Sequence, residues 1–198
     1  MIVAGLTGSI AMGKTETAKI FATRGIPVFD SDAAVHELYA PGGEAVGPMQ
    51  ELAPEAIVNG GVDRSKLAAL VQVDPGLLKQ IESVVHPLVK ARQIAFLTDA
   101  ATRSDIAVLD IPLLFETGRE KDVDVVIVVS ADPVLQRQRA LSRPGMTVEK
   151  LDFMLSRQVP DAEKRARADH VIDTSVNIAE TAREVDKVIA CIRAKGKA

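Results

Sequence analysis

Apolar runs and helical periodicities alternate along most of the chain. Ile2-Val3-Ala4-Gly5-Leu6 is a short apolar run bounded by turn residues, which predicts a strand. From Thr15 to Arg24, Ala18, Ile20, Phe21 and Ala22 recur at helical spacing, and Gly25 supplies a stop. Ile26-Pro27-Val28-Phe29 predicts a short strand with its proline at the start. Ser31 or Asp32 suits the cap of a helix from Ala33 to Tyr39, which Pro41-Gly42-Gly43 breaks. Residues 44–73 read as short helices joined by loops around Pro48, Pro54 and Asn59-Gly60-Gly61. Asp74-Pro75 opens a long helical pattern that reaches Leu97, with a kink expected at Pro87.

The second half repeats the alternation. Ile106 to Asp110 and Val125 to Val129 are almost continuously apolar, as strands covered on both faces require. Helices are predicted from Asp132-Pro133 to Ser142, from Thr147 onward, and from Asp161 to Arg167. A last short strand at Val171-Ile172 precedes an amphipathic helix from Ile178 to Arg193, then a frayed tail over residues 195–198. The β–α order predicts an α/β fold: a three-layer, doubly wound parallel sheet with ligands bound beyond the carboxyl ends of its strands.

Composition narrows the function classes. The chain has 198 residues and 47% hydrophobic content, which suits one domain, with room for a small lid. A net charge of −3 argues against nucleic-acid binding. The single cysteine, Cys191, excludes an internal disulfide and a multi-cysteine zinc site, and fits a reducing cytosol. No run is long and apolar enough to span a bilayer, and no signal peptide is expected, so the expected location is cytoplasmic.

The chemistry begins directly after the first strand. Residues 8–15, Gly8-Ser9-Ile10-Ala11-Met12-Gly13-Lys14-Thr15, read G-x-x-x-x-G-K-T between a strand and a helix. The glycines let successive N–H groups point into one concavity, and the following helix adds its positive end. Lys14 reaches phosphates and the Thr15 hydroxyl suits Mg²⁺. The expected ligand is therefore a nucleoside triphosphate with Mg²⁺.

Other residues sit at neighbouring strand ends. Asp110 ends an apolar strand and resembles the second acidic element that holds Mg²⁺ through water, or else caps a turn. Asp30 and Asp32 flank Ser31 after the second strand, where a carboxylate can act as general base or as a helix cap. The segment from Gln136 to Arg167 is rich in cations, and Arg139 and Arg143, four residues apart, are expected on one helix face for transition-state stabilisation. His86, beside Pro87, is either a substrate contact or structural; His36 and His170 read as structural.

These residues resemble one family. Gly5 to Ile10 with Gly13-Lys14-Thr15, Asp30-Ser31-Asp32, His86-Pro87, Asp110-Ile111-Pro112-Leu113-Leu114-Phe115-Glu116, and Gln158-Val159-Pro160 with Lys164 resemble the dephospho-coenzyme A kinases in order and spacing. The resemblance implies transfer of the ATP γ-phosphoryl group to the ribose 3′-hydroxyl of dephospho-coenzyme A. It implies Asp32 as catalytic base and Lys14 and Arg139 as phosphate contacts. It also implies Thr15 and Asp110 at Mg²⁺, and His86, Leu113 and Phe115 along the acceptor. Nucleotide contacts fall on Gly8, Ala11, Met12, Gly13, Lys14, Thr15 and Glu16, with adenine contacts near residues 174–177. The family fold implies a core of about residues 1–40, 104–133 and 168–198, acceptor-binding helices over 41–103 and a lid over 134–167.

The family usually has small or hydroxyl residues where this chain has Ala11, Met12 and Glu16. A lid arginine is replaced by Met154. Ala11 raises a question of backbone freedom, and Glu16 places a negative charge near the phosphates. The remaining alternatives are another P-loop small-molecule or nucleoside monophosphate kinase and a non-catalytic nucleotide binder. A GTP switch would need an Asn-Lys-x-Asp string, which does not occur. The expected state is a monomer or weak homo-oligomer.

Overall fold

The computed structural model describes residues 1–196, so Lys197 and Ala198 of the predicted tail lie outside the described residues. The chain divides into two compact units, residues 1–29 with 100 onward, and residues 30–99.

The first unit carries a five-stranded sheet in the order β2 (Val28–Asp30), β5 (Ile106–Asp110), β1 (Ile2–Thr7), β6 (Val125–Ser130), β7 (His170–Asp173). The pairs β1–β5, β1–β6 and β6–β7 are parallel. Every residue of β5 and β6 is buried, odd and even positions alike, so both faces of the sheet are covered. On one face, Ala4, Leu6, Val108, Ile127 and Ile172 pack with Phe21 of α1 (Lys14–Thr23) and with Val185, Ile189 and Ile192 of α9 (Ile178–Lys195). Leu6 of β1 lies in register with Asp110 of β5, which brings the start of the phosphate loop and this carboxylate to the same sheet edge.

The second strand starts two residues later than predicted, and the reason is local. Gly25 (φ 75°) donates its N–H to Ala22 and Ile26 donates to Phe21, which is a Schellman ending. Ile26 is therefore still completing α1. Pro27 has no N–H, though its carbonyl accepts from Val108. Three further helices, α6 (Pro133–Leu141), α7 (Val148–Ser156) and α8 (Asp161–Ala166), belong to this unit. Asp132 and Thr147 cap the first two through side-chain oxygens.

The second unit comprises α2 (Ser31–Tyr39), α3 (Val46–Leu52), α4 (Arg64–Val73) and α5 (Gly76–Ala100, of which all but the last residue fall here). Leu38 and Tyr39 share one apolar cluster with Met49, Leu67, Ile81 and Val85, so α2 packs with these helices. Arg92 of α5 ties in Glu37 at 2.6 Å and Glu44 at 3.1 Å. The cap of α2 is Asp30, not Ser31 or Asp32: its carboxylate accepts from the N–H groups of Asp32 and Ala33. Pro87 is carried inside α5 without ending it. Asn59 (φ 49°) and Gly60 (φ 78°) form a hairpin turn between two two-residue strands, β3 (Ile57–Val58) and β4 (Gly61–Val62), in a stretch read from sequence as loop.

Candidate active site

The loop over residues 8–15 is shaped by close backbone approaches. A Cβ on Gly8 would lie 2.6 Å from the Val129 carbonyl oxygen, so only glycine fits. Gly13 (φ 84°) is the N-cap of α1 and offers no side chain to the first-turn N–H groups. Those donors remain open toward an anion.

Ala11 adopts φ 61°, a left-handed conformation that costs a non-glycine residue about 1–2 kcal/mol. The question raised by its side chain is thus real, and the structure offsets it. The methyl group is buried among Ala140 of α6 and Leu151 of α7. Met12 is buried too; its carbonyl accepts from Thr174 Oγ1 at 2.8 Å and its thioether sulfur accepts from the Ala131 N–H at 3.0 Å.

Lys14 forms an ion pair with the buried Asp110 carboxylate. Thr15 is exposed at the start of α1. A neutral hydroxyl and one carboxylate are hard oxygen donors. Among the described residues no cluster of three acidic, His or Cys side chains exists to form an all-protein cage. That donor set suits Mg²⁺, which keeps waters and takes phosphate oxygens. Glu16 is ion-paired with Lys19 at 2.7 Å on the exposed face of α1.

Arg139 of α6 donates to the Thr174 carbonyl at 2.8 Å and to Thr174 Oγ1 at 3.3 Å. Among the described residues two of its five N–H groups are used, which leaves donors for a ligand. Arg143 does not share its helix face as expected: α6 ends at Leu141, and Arg143 lies in the following turn. Arg157 stacks over the Phe153 ring at 5.3 Å, and the neighbouring Met154 is exposed. A cavity of about 510 Å³ lies beside the loop, lined by Met12, Ala131, Asp132, Gln136, Asp161 and Ser175 among others. Of residues 174–177, Thr174 is buried against the loop and Asn177 caps α9 by accepting from the Glu180 N–H.

The string after Asp110 divides in role. Leu113 is exposed. Phe115 is buried, with the Arg167 guanidinium 4.4 Å from its ring centre. Glu116 Oε1 accepts from the Val159 N–H and meets the fully buried Lys164 ammonium, both at 2.9 Å. Burial pushes the Glu116 carboxyl up, but Lys164 and two backbone N–H groups outweigh it and hold the group below its usual range.

Gln136 and Gln158, which sequence reasoning passed over, both engage Ile10. Gln158 Oε1 accepts from the Ile10 N–H at 3.1 Å, and Gln136 Nε2 donates to the Ile10 carbonyl at 2.9 Å. The only hint in the sequence is that Gln158 opens one of the family-like strings.

Asp32 and His86 belong to the second unit. Both are exposed, on α2 and α5. Among the described residues no hydrogen bond or ion pair engages the Asp32 carboxylate, whereas Asp30 is committed to its cap.

Residues 1–180 match the family described as dephospho-CoA kinase. The chain is 53% identical to the dephospho-CoA kinase of Mesorhizobium japonicum over 98% of both chains, and 54% identical to that of Agrobacterium fabrum over 96% of both. Among solved structures, a Thermus thermophilus protein superposes with a TM-score of 0.84 at 33% identity, covering 96% of each chain. The dephospho-CoA kinase of Campylobacter jejuni superposes at 0.72, covering 99% of this chain and 98% of that one; at 24% identity this speaks for the fold.

Proposed function

The chain belongs to the dephospho-CoA kinase family, and from that premise we propose how its residues divide the work. The enzyme phosphorylates the ribose 3′-hydroxyl of dephospho-coenzyme A with ATP, giving coenzyme A and ADP, the last step of coenzyme A synthesis. The observation that carries the reading is the convergence, within one unit, of an uncapped helix end, Lys14, Asp110 and Arg139 around residues 8–15.

The open N–H groups at the start of α1 and the Lys14 ammonium hold the ATP phosphates. Lys14 exchanges or shares its Asp110 partner when they bind. Arg139, steadied on Thr174, directs its remaining donors to the transferring group. Thr15 and Asp110 hold Mg²⁺, which supplies charge neutralisation on the phosphate oxygens. Asp32 accepts the proton of the 3′-hydroxyl as its oxygen bonds to the γ-phosphorus, while the bond to the β-phosphate oxygen breaks and ADP leaves. That the Asp32 carboxylate has no partner among the described residues, while Asp30 caps α2, supports Asp32 over Asp30 in this role. Residues 30–99, including His86, together with Leu113, receive the acceptor, and residues 134–167 act as the lid over the donor. The base and ribose of ATP enter beside residues 174–177 and the adjoining cavity. No helix among the described residues is long and apolar enough to cross a membrane, and the net charge of −3 fits small-molecule substrates without nucleic acid; the proposed location is the cytoplasm and the proposed state a monomer or weak homo-oligomer.

ADP release with ATP, Mg²⁺ and dephospho-coenzyme A tests this. Wild type turns over, and Asp32→Asn loses about a hundredfold or more in kcat while keeping its melting temperature. Turnover of a nucleoside monophosphate instead of dephospho-coenzyme A overturns the activity; full turnover by Asp32→Asn overturns the base.

A further inference from the structure

We propose that Gln136, on the first lid helix, is a positioning residue for ATP binding: it holds the Ile10–Ala11 peptide of the phosphate loop in the orientation that Ala11 does not adopt by itself. The inference rests on the reading of residues 8–15 as the ATP phosphate site.

The argument starts from one peptide unit. The Ile10 carbonyl and the Ala11 N–H belong to the same plane, so fixing one fixes the other. Rotation of that plane changes the φ of Ala11, which stands at 61°. A glycine holds such a value at no steric cost, but alanine is drawn back to negative φ. Something outside the loop must therefore hold the plane. Gln136 Nε2, 2.9 Å from the Ile10 carbonyl, is placed to do so. Gln136 is itself buried, so its amide has few competing partners in water.

The surrounding contacts work in the same sense. Ala140 follows Gln136 by one turn of α6 and packs on the Ala11 methyl. Arg139, between them in sequence, holds Thr174, whose hydroxyl donates to the Met12 carbonyl. One stretch of α6 thus follows the loop from Ile10 to Met12. From the other side, Gln158 fixes the preceding peptide by accepting the Ile10 N–H at 3.1 Å. With that N–H occupied, the donors left to an anion begin at Ala11, whose direction Gln136 sets.

The dependence on Ala11 separates positioning from general support. In wild type, Ala11→Gly, Gln136→Met and the double variant, ATP–Mg²⁺ affinity is measured by calorimetry and the acceptor KM by ADP release. Gln136→Met keeps side-chain length and removes the donor. It is expected to weaken ATP about tenfold with the acceptor KM unchanged, and the Ala11→Gly protein, whatever its own ATP affinity, is the background against which the double variant is read. On top of Ala11→Gly, the Gln136→Met loss shrinks to about threefold or less, because the loop no longer needs to be held at positive φ. A loss of mere stability would not be relieved by adding a glycine. If Gln136→Met fails to fold, Gln136→Asn, which keeps the amide but shortens its reach to the Ile10 carbonyl, is carried through the same cycle with the same expectation. Undiminished ATP affinity in the glutamine variant, or an equal loss with and without Ala11→Gly, overturns the inference. Wild type that binds no ATP overturns instead the assignment of the loop.

Discussion

Two helices in this molecule begin just beyond the end of a strand, α1 after β1 and α2 after β2, and their first turns are treated in opposite ways. At α1 the N-cap is Gly13, and no side chain accepts from the first N–H groups. At α2 the N-cap is Asp30, whose carboxylate accepts two of them. The first end is left open to an anion and the second is closed by one. The carboxylate left over at the closed end, Asp32, has no partner among the described residues, and the proposed base is that residue. A helix start is thus an anion site only where its own side chains decline the role.

An open end has to be held in shape by something other than a cap. Around α1 this comes from the segment carrying Gln158, which is anchored through Val159 and Lys164 to Glu116. The largest expected effect lies in breaking that anchor. Lys164→Met leaves Glu116 with less compensation in a buried site, and loss of one partner of such a pair costs about 3–5 kcal/mol. Thermal melting at neutral pH should fall by about 6–20 °C. The pH dependence identifies the cause. Glu116 is held below its unfolded value of 4.5, so in wild type its contribution is present above that pH and is lost as pH falls through the lower folded value. In Lys164→Met a lowering partner is gone and the folded value rises relative to wild type, so the deficit should shrink as pH falls through the range between the two folded values. A deficit that stays constant with pH would disconnect Glu116 from the loop's support.

The next effect is smaller and tests the closed end directly. Asp30→Ala removes the cap of α2 and should cost about 1 kcal/mol, a fall of about 2–4 °C in melting temperature. Asp32→Ala, on the same turn, should change stability by less than about 0.5 kcal/mol. Equal losses at the two positions in thermal melts would end the distinction between a structural and a reactive aspartate.

How much of this was legible in the sequence follows the range of the forces involved. The span of β5 and the starts of α6, α7 and α9 were readable because runs, caps and prolines act within a few residues. The phosphate loop was readable because its chemistry demands particular residues at fixed spacing. Local misreadings have local causes: the Schellman ending displaced β2, Asp30 took the cap assigned to Ser31 or Asp32, and Asn59-Gly60 made a hairpin too short to show alternation. The support of the loop was not readable. Gln136 and Gln158 lie 126 and 148 residues from the atoms of Ile10 that they hold, and a lone glutamine has no pattern. The family-like string gave Glu116 and Lys164 their positions without their partnership, which is a fact of packing.

The smallest effect concerns the one anion that the open end does carry. Glu16 sits in the first turn of α1, where a carboxylate interacts favourably with the helix dipole and competes with phosphate for the same field. Its pairing with Lys19, both side chains well exposed at 60% and 66%, reduces that competition without abolishing it. Glu16→Thr should therefore move two observables in opposite directions. ATP affinity should rise about two- to threefold, while the ligand-free protein melts slightly lower for want of the first-turn charge. Both changes should fade as salt rises from about 0.05 to 0.5 M, since the groups are screened by solvent ions. If ATP affinity falls instead, the Glu16 side chain is an ally of the nucleotide, and the open end of α1 is tuned by its side chains more like the closed end of α2 than the comparison allows.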